Sequence, residues 1–333
     1  PVKRVYIPKP GNPSKRRPLG IPAVRERVCQ QAVLQKLSPV FEEIFFEDSH
    51  GFRPGRSTHT AARRIEELKR QGYRQVVDLD IENFFGNVDH ELMLRLTRQV
   101  VKDRRVLGLI RGWLTAGVME EGEVRFETSG TPQGGPISPL LSNIYLTPFD
   151  LALKEAGWHH VRYADDVLIL CKTPEEAQRA LDFARNQLTK LKLGLSEEKT
   201  QISSFRDGFD FLGFHFGSRS RGVGKKSLKS LYDKVRQATR RQQGDIPVGA
   251  VIAKVNPIAR GWGNYHREGA NKGLFSTLDK WIRNRIRAYK RRRWRDRGRW
   301  KLYSTQELSN MGLLSLHKLI PRSSQLLLFG GSP

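Results

Sequence analysis

The sequence predicts an α+β fold, and two observations lead to that prediction. Short apolar runs that are typical of buried strands occur in residues 75–81 (QVVDLDI) and 161–170 (VRYADDVLIL), and acidic residues interrupt both. Apolar residues at helical spacing lie between these runs, and helical patterns predominate after residue 217. A mixed region followed by a helical one is typical of an α+β domain with a separate helical domain behind it.

The charge of the chain indicates a polyanionic partner. The 333 residues carry a formal net charge of +25, which favours nucleic acid, with an anionic membrane surface as the alternative. No apolar run is long enough to span a bilayer, and the two cysteines, Cys29 and Cys171, have neither zinc-site nor disulfide-framework spacing. We therefore expect two or three domains, a reducing compartment, nucleic acid as partner and no membrane partner.

Basic residues dominate the loops of the first 72 positions. Apolar residues alternate on both sides of the turn-forming segment 10–17 (PGNPSKRR), which predicts a β-hairpin. Lys9 and Arg17 on this hairpin either grip phosphates or belong to a solvated loop. A Gly- and Pro-rich loop further on carries Arg53 and Arg56, which either hold a nucleic-acid backbone or lie on the surface. Helical patterns follow both segments.

The strand over residues 75–81 carries a carboxylate at an apolar position. Asp80 lies inside this run, where a charged group needs a partner. The partner is either a metal ion shared with Asp165 or one of the many arginines. Phe84 and Phe85 come just after the strand, and each is either a core residue or the wall of a small-molecule pocket.

Two further stretches add to the candidate site. Asp165 and Asp166 lie between two apolar strands, and adjacent carboxylates at a hairpin tip suit a hard divalent ion. The alternative is an ordinary Asp-Asp turn. The Gly-rich loop over residues 129–139 (SGTPQGGPISP) allows the backbone to approach a ligand closely. It matches neither the phosphate-binding P-loop nor the dinucleotide fingerprint.

The carboxyl-terminal third predicts a small helical domain. A basic, Gly-containing segment over residues 218–227 (SRSRGVGKKS) reads as a linker, and we place a domain boundary at Gly217. The last helical pattern continues into the segment Arg287–Lys301, where basic residues alternate with Trp294 and Trp300. Such a segment suits backbone contacts and stacking on bases, and a solvated basic face is the alternative.

These features combine into one chemistry. The carboxylates of Asp80, Asp165 and Asp166 can hold two magnesium ions, one that activates an attacking hydroxyl and one that stabilises the leaving oxygen. Together with a Gly-rich loop and a large positive charge, they indicate nucleotidyl transfer.

A series of motifs runs in order through nearly the whole chain. The motifs are RPLGIP (17–22), SHGFRPGRSTHTA (49–61), DLDIENFF (78–85), GTPQGGPISPLLSNIYL (130–146), YADD (163–166), FLGF (211–214) and GWGNYHR (261–267). By itself the YADD motif is weak, but the set in this order is highly specific. With this set the chain closely resembles the reverse transcriptases encoded by bacterial group II introns, and the last motif resembles the signature of their thumb, the maturase or X domain.

The resemblance implies an α+β, right-hand polymerase fold with a helical thumb. Residues 1–72 would form mostly fingers and residues 73–217 mostly palm, with helical finger elements near residues 92–122. Residues 218–333 would form the thumb or maturase X domain.

The resemblance also implies the catalytic residues. Asp80, Asp165 and Asp166 would be the catalytic carboxylates. With Ile81 they would be the metal ligands for two Mg²⁺ ions, with Mn²⁺ as an alternative.

Substrate contacts follow from the same resemblance. Phe85 would lie under the incoming sugar as a steric gate, Gln133 and Gly134 would lie beside the nascent base pair, and Lys9 and Arg17 would contact the triphosphate. The primer grip would be formed by Leu212 and Gly213. Nucleic-acid contacts are expected at Arg53, Arg56, Arg291, Arg292 and Arg293.

The expected function is RNA-directed DNA synthesis with an RNA template, a DNA primer and dNTPs, together with binding of group II intron RNA as a splicing maturase. One alternative is a domesticated relative that serves DNA repair or CRISPR adaptation. Another is a maturase that acts mainly by RNA binding. We expect a cytoplasmic, nucleoid-associated protein, and the sequence leaves its oligomeric state open.

Three departures from the family pattern bear on these expectations. The family often has Asp where this chain has Gly86, and we expect little effect on catalysis because Asp80 is the matching ligand. The sequence lacks the family's amino-terminal extension, so we expect weaker template switching and intron binding. It also lacks a zinc-bound nuclease after the thumb, so we do not expect second-strand nicking.

The basic segment near the carboxyl terminus gives a first prediction. Changing Arg291, Arg292 and Arg293 to Gln should weaken binding to many RNA sequences alike and flatten the dependence of log affinity on log salt. The slope should change by about 0.7–0.9 for each lost phosphate contact. Binding titrations over a salt series measure this, and an unchanged slope means that these arginines do not meet phosphate. A loss for intron RNA alone would favour the maturase function.

Overall fold

The computed structural model describes residues 1–9, 12–126, 130–131, 134–240, 246–269, 272–289 and 303–320, with the main chain alone for residue 9 and residues 12–15. The chain divides into two compact units, Pro1–Asp207 and Gly208–Pro333. The sequence predicted this boundary at Gly217, and in the structure the second unit already begins at Gly208. No helix among the described residues is both long and apolar enough to cross a membrane.

The first unit contains both strands and helices, as the sequence predicted. The strands are β1 (Val2–Lys9), β2 (Asn12–Ile21), β3 (Gln75–Asp80), β4 (Val118–Glu120), β5 (Glu123–Arg125), β6 (His159–Tyr163), β7 (Asp166–Cys171) and β8 (Gln201–Ser204). The helices are α1 (Val24–Glu42), α2 (Thr58–Arg70), α3 (Phe84–Asn87), α4 (His90–Val100), α5 (Arg104–Leu114), α6 (Ser138–Glu155) and α7 (Pro174–Lys190).

The central sheet of the first unit has the strand order β6-β7-β3-β8, and neighbouring strands are antiparallel. Residues 167–171 of β7 are buried, which explains their continuous apolar run. The helices α6 and α7 pack against this sheet, and Tyr145, Phe149 and Leu188 are completely buried in the core between them. The register of β3 against β7 sets the last residue of one strand beside the first residue of the other.

The predicted amino-terminal hairpin is confirmed. The strands β1 and β2 pair antiparallel, with Val5 opposite Leu19 and Ile7 opposite Arg17. The strand β4 adds to β1 in parallel, and β5 pairs with β4, which completes a second sheet of order β2-β1-β4-β5. This sheet provides the basic strand β2 near the candidate site.

The second unit joins a small sheet to a group of helices. Phe275, Leu278 and Ile282 are buried on one face of a helix, as the periodicity predicted. They form the core with buried residues of the preceding helices. The elements are β9 (Phe209–Phe211), β10 (Phe214–Phe216), β11 (Arg221–Val223), α8 (Lys225–Ala238), α9 (Val248–His266), α10 (Lys272–Tyr289), α11 (Thr305–Asn310) and the 3₁₀ helix Leu316–Leu319.

The linker predicted over residues 218–227 is wrong. Arg221–Val223 form β11 against β10, and α8 begins at Lys225, directly after Gly224. The guanidinium of Arg221 lies 4.8 Å from the ring centroid of Phe214 and 3.5 Å from the carboxylate of Glu268. Glu268 is remote in sequence, so composition alone does not indicate that this basic, Gly-containing segment has a defined structure.

Asp279 on α10 gives a stability prediction. Its buried carboxylate accepts hydrogen bonds from Ser315 Oγ (2.7 Å) and from the main-chain nitrogens of Leu316 (2.8 Å) and His317 (3.1 Å). Asp279→Ala should lower the free energy of unfolding of this unit by about 1–3 kcal/mol or more, because the buried donors lose their acceptor. Calorimetry on the full chain would measure the unfolding transition of this unit.

Asp233→Ala is the matched control. Asp233 pairs with Arg236 on α8, and its side chain is 54% exposed. Loss of such a surface pair costs about 0–1 kcal/mol. An equal loss of unfolding free energy in the two variants would contradict the assigned role of Asp279.

Candidate active site

The structure brings the predicted carboxylates to one edge of the central sheet. Asp80 ends β3, Asp166 begins β7, and the two residues are direct cross-strand partners. In an antiparallel pair such residues have Cα atoms about 4.5–5.5 Å apart. Tyr163 pairs with Asp166 on the other side, so that Ala164 and Asp165 form a two-residue turn. Asp165 therefore lies directly beside the Asp80–Asp166 pair.

Negative charge accumulates at this edge. The pKa of Asp166 is raised to about 6, first because the surrounding protein excludes water from the charged form, although part of the side chain reaches solvent. The carboxylates of Asp165, Asp78 and Asp80 raise it further, and the positive charge of Arg17 on β2 lowers it. An edge with this charge distribution favours a bound cation.

Asp80 has a partner that the sequence did not indicate. The Nζ atom of Lys199 lies 2.9 Å from Oδ1 of Asp80, and the main-chain nitrogen of Asp80 donates to Oγ1 of Thr200 at 3.4 Å. The sequence analysis considered an arginine salt bridge as the alternative to a metal, and the structure contains a lysine one. Lys199 just precedes β8, and only the pairing of β8 with β3 brings it to the site. Its side chain is 65% exposed, so the pair is weak.

The ligand set fits a magnesium ion that is shared with a substrate. Within the described ranges, no group of three or more His, Cys, Asp or Glu side chains converges closely enough to hold a metal ion. Magnesium in phosphoryl-transfer sites is usually bound by one or two carboxylates together with substrate phosphates. Asp80 and Asp166 supply that number of carboxylates at one edge. Ile81 follows Asp80 and forms a bridge with Leu195.

The two phenylalanines after β3 have different surroundings. Phe84 is buried, and its ring packs against Phe85 (centroids 5.2 Å apart) and Tyr145 (6.2 Å). Phe85 is half-buried and lines a cavity of about 260 Å³, bounded also by residues of β1 and β2 and by the main chain at Gly130 and Thr131. Of the two aromatic side chains, Phe85 is therefore the one that is accessible to a ligand.

The Gly-rich loop approaches protein backbone closely. Gly130 has φ +95°, and the nitrogen of Thr131 donates to the carbonyl of Phe85 at 2.7 Å. Gly134 has φ +120°, and a Cβ atom there would lie 2.9 Å from the carbonyl oxygen of Gly20 on β2. The glycine at this position is thus required by the neighbouring strand.

The loop arginines are engaged inside the protein. Arg53 is buried, and it donates to the carboxylate of Glu42 at 2.6 Å and to the carbonyls of Phe46 and Ser49. Arg56 is half-buried and donates to the carbonyl of Glu47. These contacts favour a structural role for both arginines over the predicted contact with nucleic acid.

The predicted primer grip lies in the second unit. Leu212 (φ +48°) and Gly213 (φ +78°) form the turn between β9 and β10. The hydroxyl of Tyr265 on α9 donates to the carbonyl of Leu212 at 2.8 Å, and the nitrogen of Gly224 donates to the carbonyl of Gly213 at 3.0 Å. The FLGF and GWGNYHR motifs are therefore in direct contact. Gln133, Arg291, Arg292, Arg293 and the side chain of Lys9 lie outside the described residues.

Comparison with known families decides the identity of the chain. Residues 7–216 match the reverse transcriptase (RNA-dependent DNA polymerase) family. The chain belongs to the reverse transcriptase family. Residues 228–305 match the maturase-specific domain of group II introns. Both matches confirm the resemblance that the motifs indicated.

Curated relatives agree with this assignment. The reverse transcriptase chain is 36% identical to the protein YkfC of Escherichia coli over 252 residues, which cover 64% of this chain and 66% of that protein. It is 33% identical to the group II intron-encoded protein LtrA of Lactococcus lactis over 299 residues, which cover 69% of this chain and 49% of LtrA. The chain thus spans about half the length of LtrA and just under two thirds of YkfC.

Solved structures support the fold. A telomerase from Candida albicans, in complex with a fragment of telomeric RNA, has a TM-score of 0.52 and 12% identity over 98% of this chain and 63% of that chain. An apo telomerase from Candida tropicalis has a TM-score of 0.50 and 14% identity over 67% of this chain and 55% of that chain. At these identities the likeness concerns the fold alone, and it confirms the predicted α+β, right-hand polymerase fold.

The surroundings of Phe85 give a specificity prediction. On the expectation that Phe85 lies under the incoming sugar, Phe85→Val should raise the ratio of ribonucleotide to deoxyribonucleotide incorporation, because a smaller side chain would leave space for a 2′-hydroxyl. Single-nucleotide incorporation with matched rNTP and dNTP measures the ratio. Phe84→Leu is the control, and it should lower stability without changing the ratio. A change caused by Phe84→Leu, with none from Phe85→Val, would assign the gate to Phe84.

Proposed function

We propose that this reverse transcriptase chain is an RNA-directed DNA polymerase that extends a DNA primer along an RNA template with dNTPs. The observation that carries the proposal is the pairing of Asp80 with Asp166 at the sheet edge, with Asp165 in the adjoining turn. The raised pKa of Asp166 supports it, since carboxylates crowded in this way suit a site that works with bound cations.

In the proposed reaction, the oxygen of the primer 3′-hydroxyl attacks the α-phosphorus of the dNTP. A new P–O bond forms, the bond to pyrophosphate breaks, and the hydroxyl proton passes to water. Two Mg²⁺ ions, or Mn²⁺, held by Asp80, Asp165 and Asp166 with Ile81 beside them, would supply Lewis-acid activation and charge neutralisation. The carboxylates themselves fix the position of the reacting groups at the edge of a rigid sheet.

Other residues of the chain would orient the substrates. Arg17, whose charge already acts on Asp166, and Lys9 at the end of β1 would neutralise triphosphate charge. Phe85 would exclude a 2′-hydroxyl from the cavity that it lines. Gln133 and Gly134 would border the nascent base pair. In this proposal the first unit supplies fingers and palm and the second supplies the thumb.

A second activity, as a maturase that binds group II intron RNA, is favoured by the match of residues 228–305 to the maturase-specific domain. The turn at Leu212 and Gly213, anchored by Tyr265 of the GWGNYHR motif, would grip the primer and link the two activities. The net charge of +25 supports affinity for RNA and DNA, and we expect association with the nucleoid.

The carboxylate assignment is tested by substitution. Asp80→Asn or Asp165→Asn should abolish primer extension and leave RNA binding nearly unchanged, because bound metals need ionised oxygen ligands whereas backbone affinity comes from Lys and Arg. Extension assays and filter binding on the same preparations measure both.

Asp182→Asn is the matched control. Asp182 lies on α7, pairs with Arg185 and has a side chain that is 55% exposed, so extension should be retained. Near-normal extension by the Asp80 and Asp165 variants would overturn the assignment.

A further inference from the structure

Arg162 and Asp150 are charged side chains that are completely buried beneath the candidate site. Nε of Arg162 donates to both oxygens of Asp150, at 2.8 and 3.0 Å, and Nη2 donates to one of them at 2.5 Å. Asp150 lies on α6, and Arg162 lies on β6, directly before the YADD motif. The ion pair therefore ties the helix to the strand that leads into the catalytic turn.

The remaining arm of the guanidinium reaches the turn itself. Nη1 of Arg162 donates to Oδ1 of Asn143 at 2.9 Å and to the carbonyl oxygen of Ala164 at 3.0 Å. Ala164 precedes Asp165, so this contact holds the peptide group that joins the two turn residues. Asn143 in turn donates through Nδ2 to the carbonyl of Gly51 at 2.9 Å.

Gly51 completes the enclosure of the turn. A Cβ atom at Gly51 would lie 2.3 Å from the nitrogen of Ala164, closer than any side chain permits. The nitrogen of His50 donates to the carbonyl of Arg162 at 2.7 Å, and the nitrogen of Arg162 donates to the carbonyl of Asp48 at 2.9 Å. The loop that precedes α2 thus lies directly against the turn.

The turn has a conformation that needs such support. Ala164 has φ +59°, in the left-handed region that glycine occupies readily and alanine rarely adopts. A residue persists there when its surroundings over-determine its conformation. The contacts to Ala164 from Arg162 and Gly51 provide that determination.

We propose that Gly51, Asn143 and Arg162 are positioning residues, which fix the Ala164–Asp165 turn and thereby orient the carboxylates of Asp165 and Asp166 for nucleotide transfer. The proposal rests on the catalytic role proposed for those carboxylates. An ion pair that served stability alone would require only the Arg162–Asp150 contact. The additional bonds end on the turn and on the loop that covers it.

Gly51→Ala is the sharpest test, because it removes no hydrogen bond and its backbone does not have a positive φ. The added methyl must displace the turn. We expect kcat for single-nucleotide incorporation to fall at least about tenfold, with little change in dNTP KM or template affinity. Gly112→Ala is the control, since a Cβ at Gly112 on α5 meets nothing within 4 Å.

Asn143→Leu is the second variant, and it tests the proposal independently if the Gly51→Ala protein does not fold. It deletes the link between Arg162 and Gly51 and keeps the branching of the side chain at Cγ. Thr147→Val is its control, because buried Thr147 lies one turn further along α6 and donates only to the carbonyl of Asn143.

Hydrogen exchange separates positioning from activity. In Gly51→Ala and Asn143→Leu, amides of the segment 159–171 should exchange faster, while the rest of the first unit is unchanged. Loss of kcat in proportion to the unfolded fraction, unchanged exchange in this segment, or equal effects in the control variants would each overturn the proposal. If Asp80→Asn and Asp165→Asn retained extension, the catalytic assignment would fail. Faster amide exchange in Gly51→Ala and Asn143→Leu would still show that these residues stabilise the turn.

Discussion

The buried ion pair between Arg162 and Asp150 is the interaction on which the candidate active site depends. Burial raises the pKa of Asp150, but the charge of Arg162 and hydrogen bonds from Arg162 and His160 outweigh it and hold this pKa below its usual value. The pair therefore stays ionised in the core. Removal of one partner would leave an uncompensated charge at a cost of about 3–5 kcal/mol, so that α6, β6 and the catalytic turn are constrained together.

This constraint allows like charges to be held together. The register of β3 against β7 places Asp80 beside Asp166, and the neighbouring carboxylates add to the effect of burial in raising the pKa of Asp166. The chain as a whole carries a charge of +25, which attracts polyanions, while this edge is locally negative. In the proposed function, cations between the carboxylates and an anionic substrate would compensate this negative charge, and Lys199 supplies a part of the compensation from the protein itself.

Sequence alone could predict those features that are local. Alternation, apolar runs and helical spacing gave the hairpin, the strand with Asp80 and the YADD turn, because each depends on neighbouring residues. The contact of Lys199 with Asp80 could not be found in this way, since the two residues are distant in the chain. The buried state of Arg53 and the strand β11 have partners nearby in the chain, but their polar, Gly- and Pro-containing segments resemble loops in composition. The residues alone left Phe84 and Phe85 equivalent, and the tertiary packing distinguishes them, because Phe84 is buried whereas Phe85 lines a cavity.

The turns of the YADD and FLGF motifs solve one conformational problem by the same means. Ala164 (φ +59°) and Leu212 (φ +48°) both occupy the left-handed region without being glycine. In each turn a side chain donates to the carbonyl of that residue, from Arg162 at 3.0 Å and from Tyr265 at 2.8 Å. A strained main-chain conformation persists when the surrounding contacts fix it, and such conformations are concentrated at functional sites. Leu212 and Tyr265 belong to separate motifs of the second unit, so that one motif forms the turn and the other stabilises it.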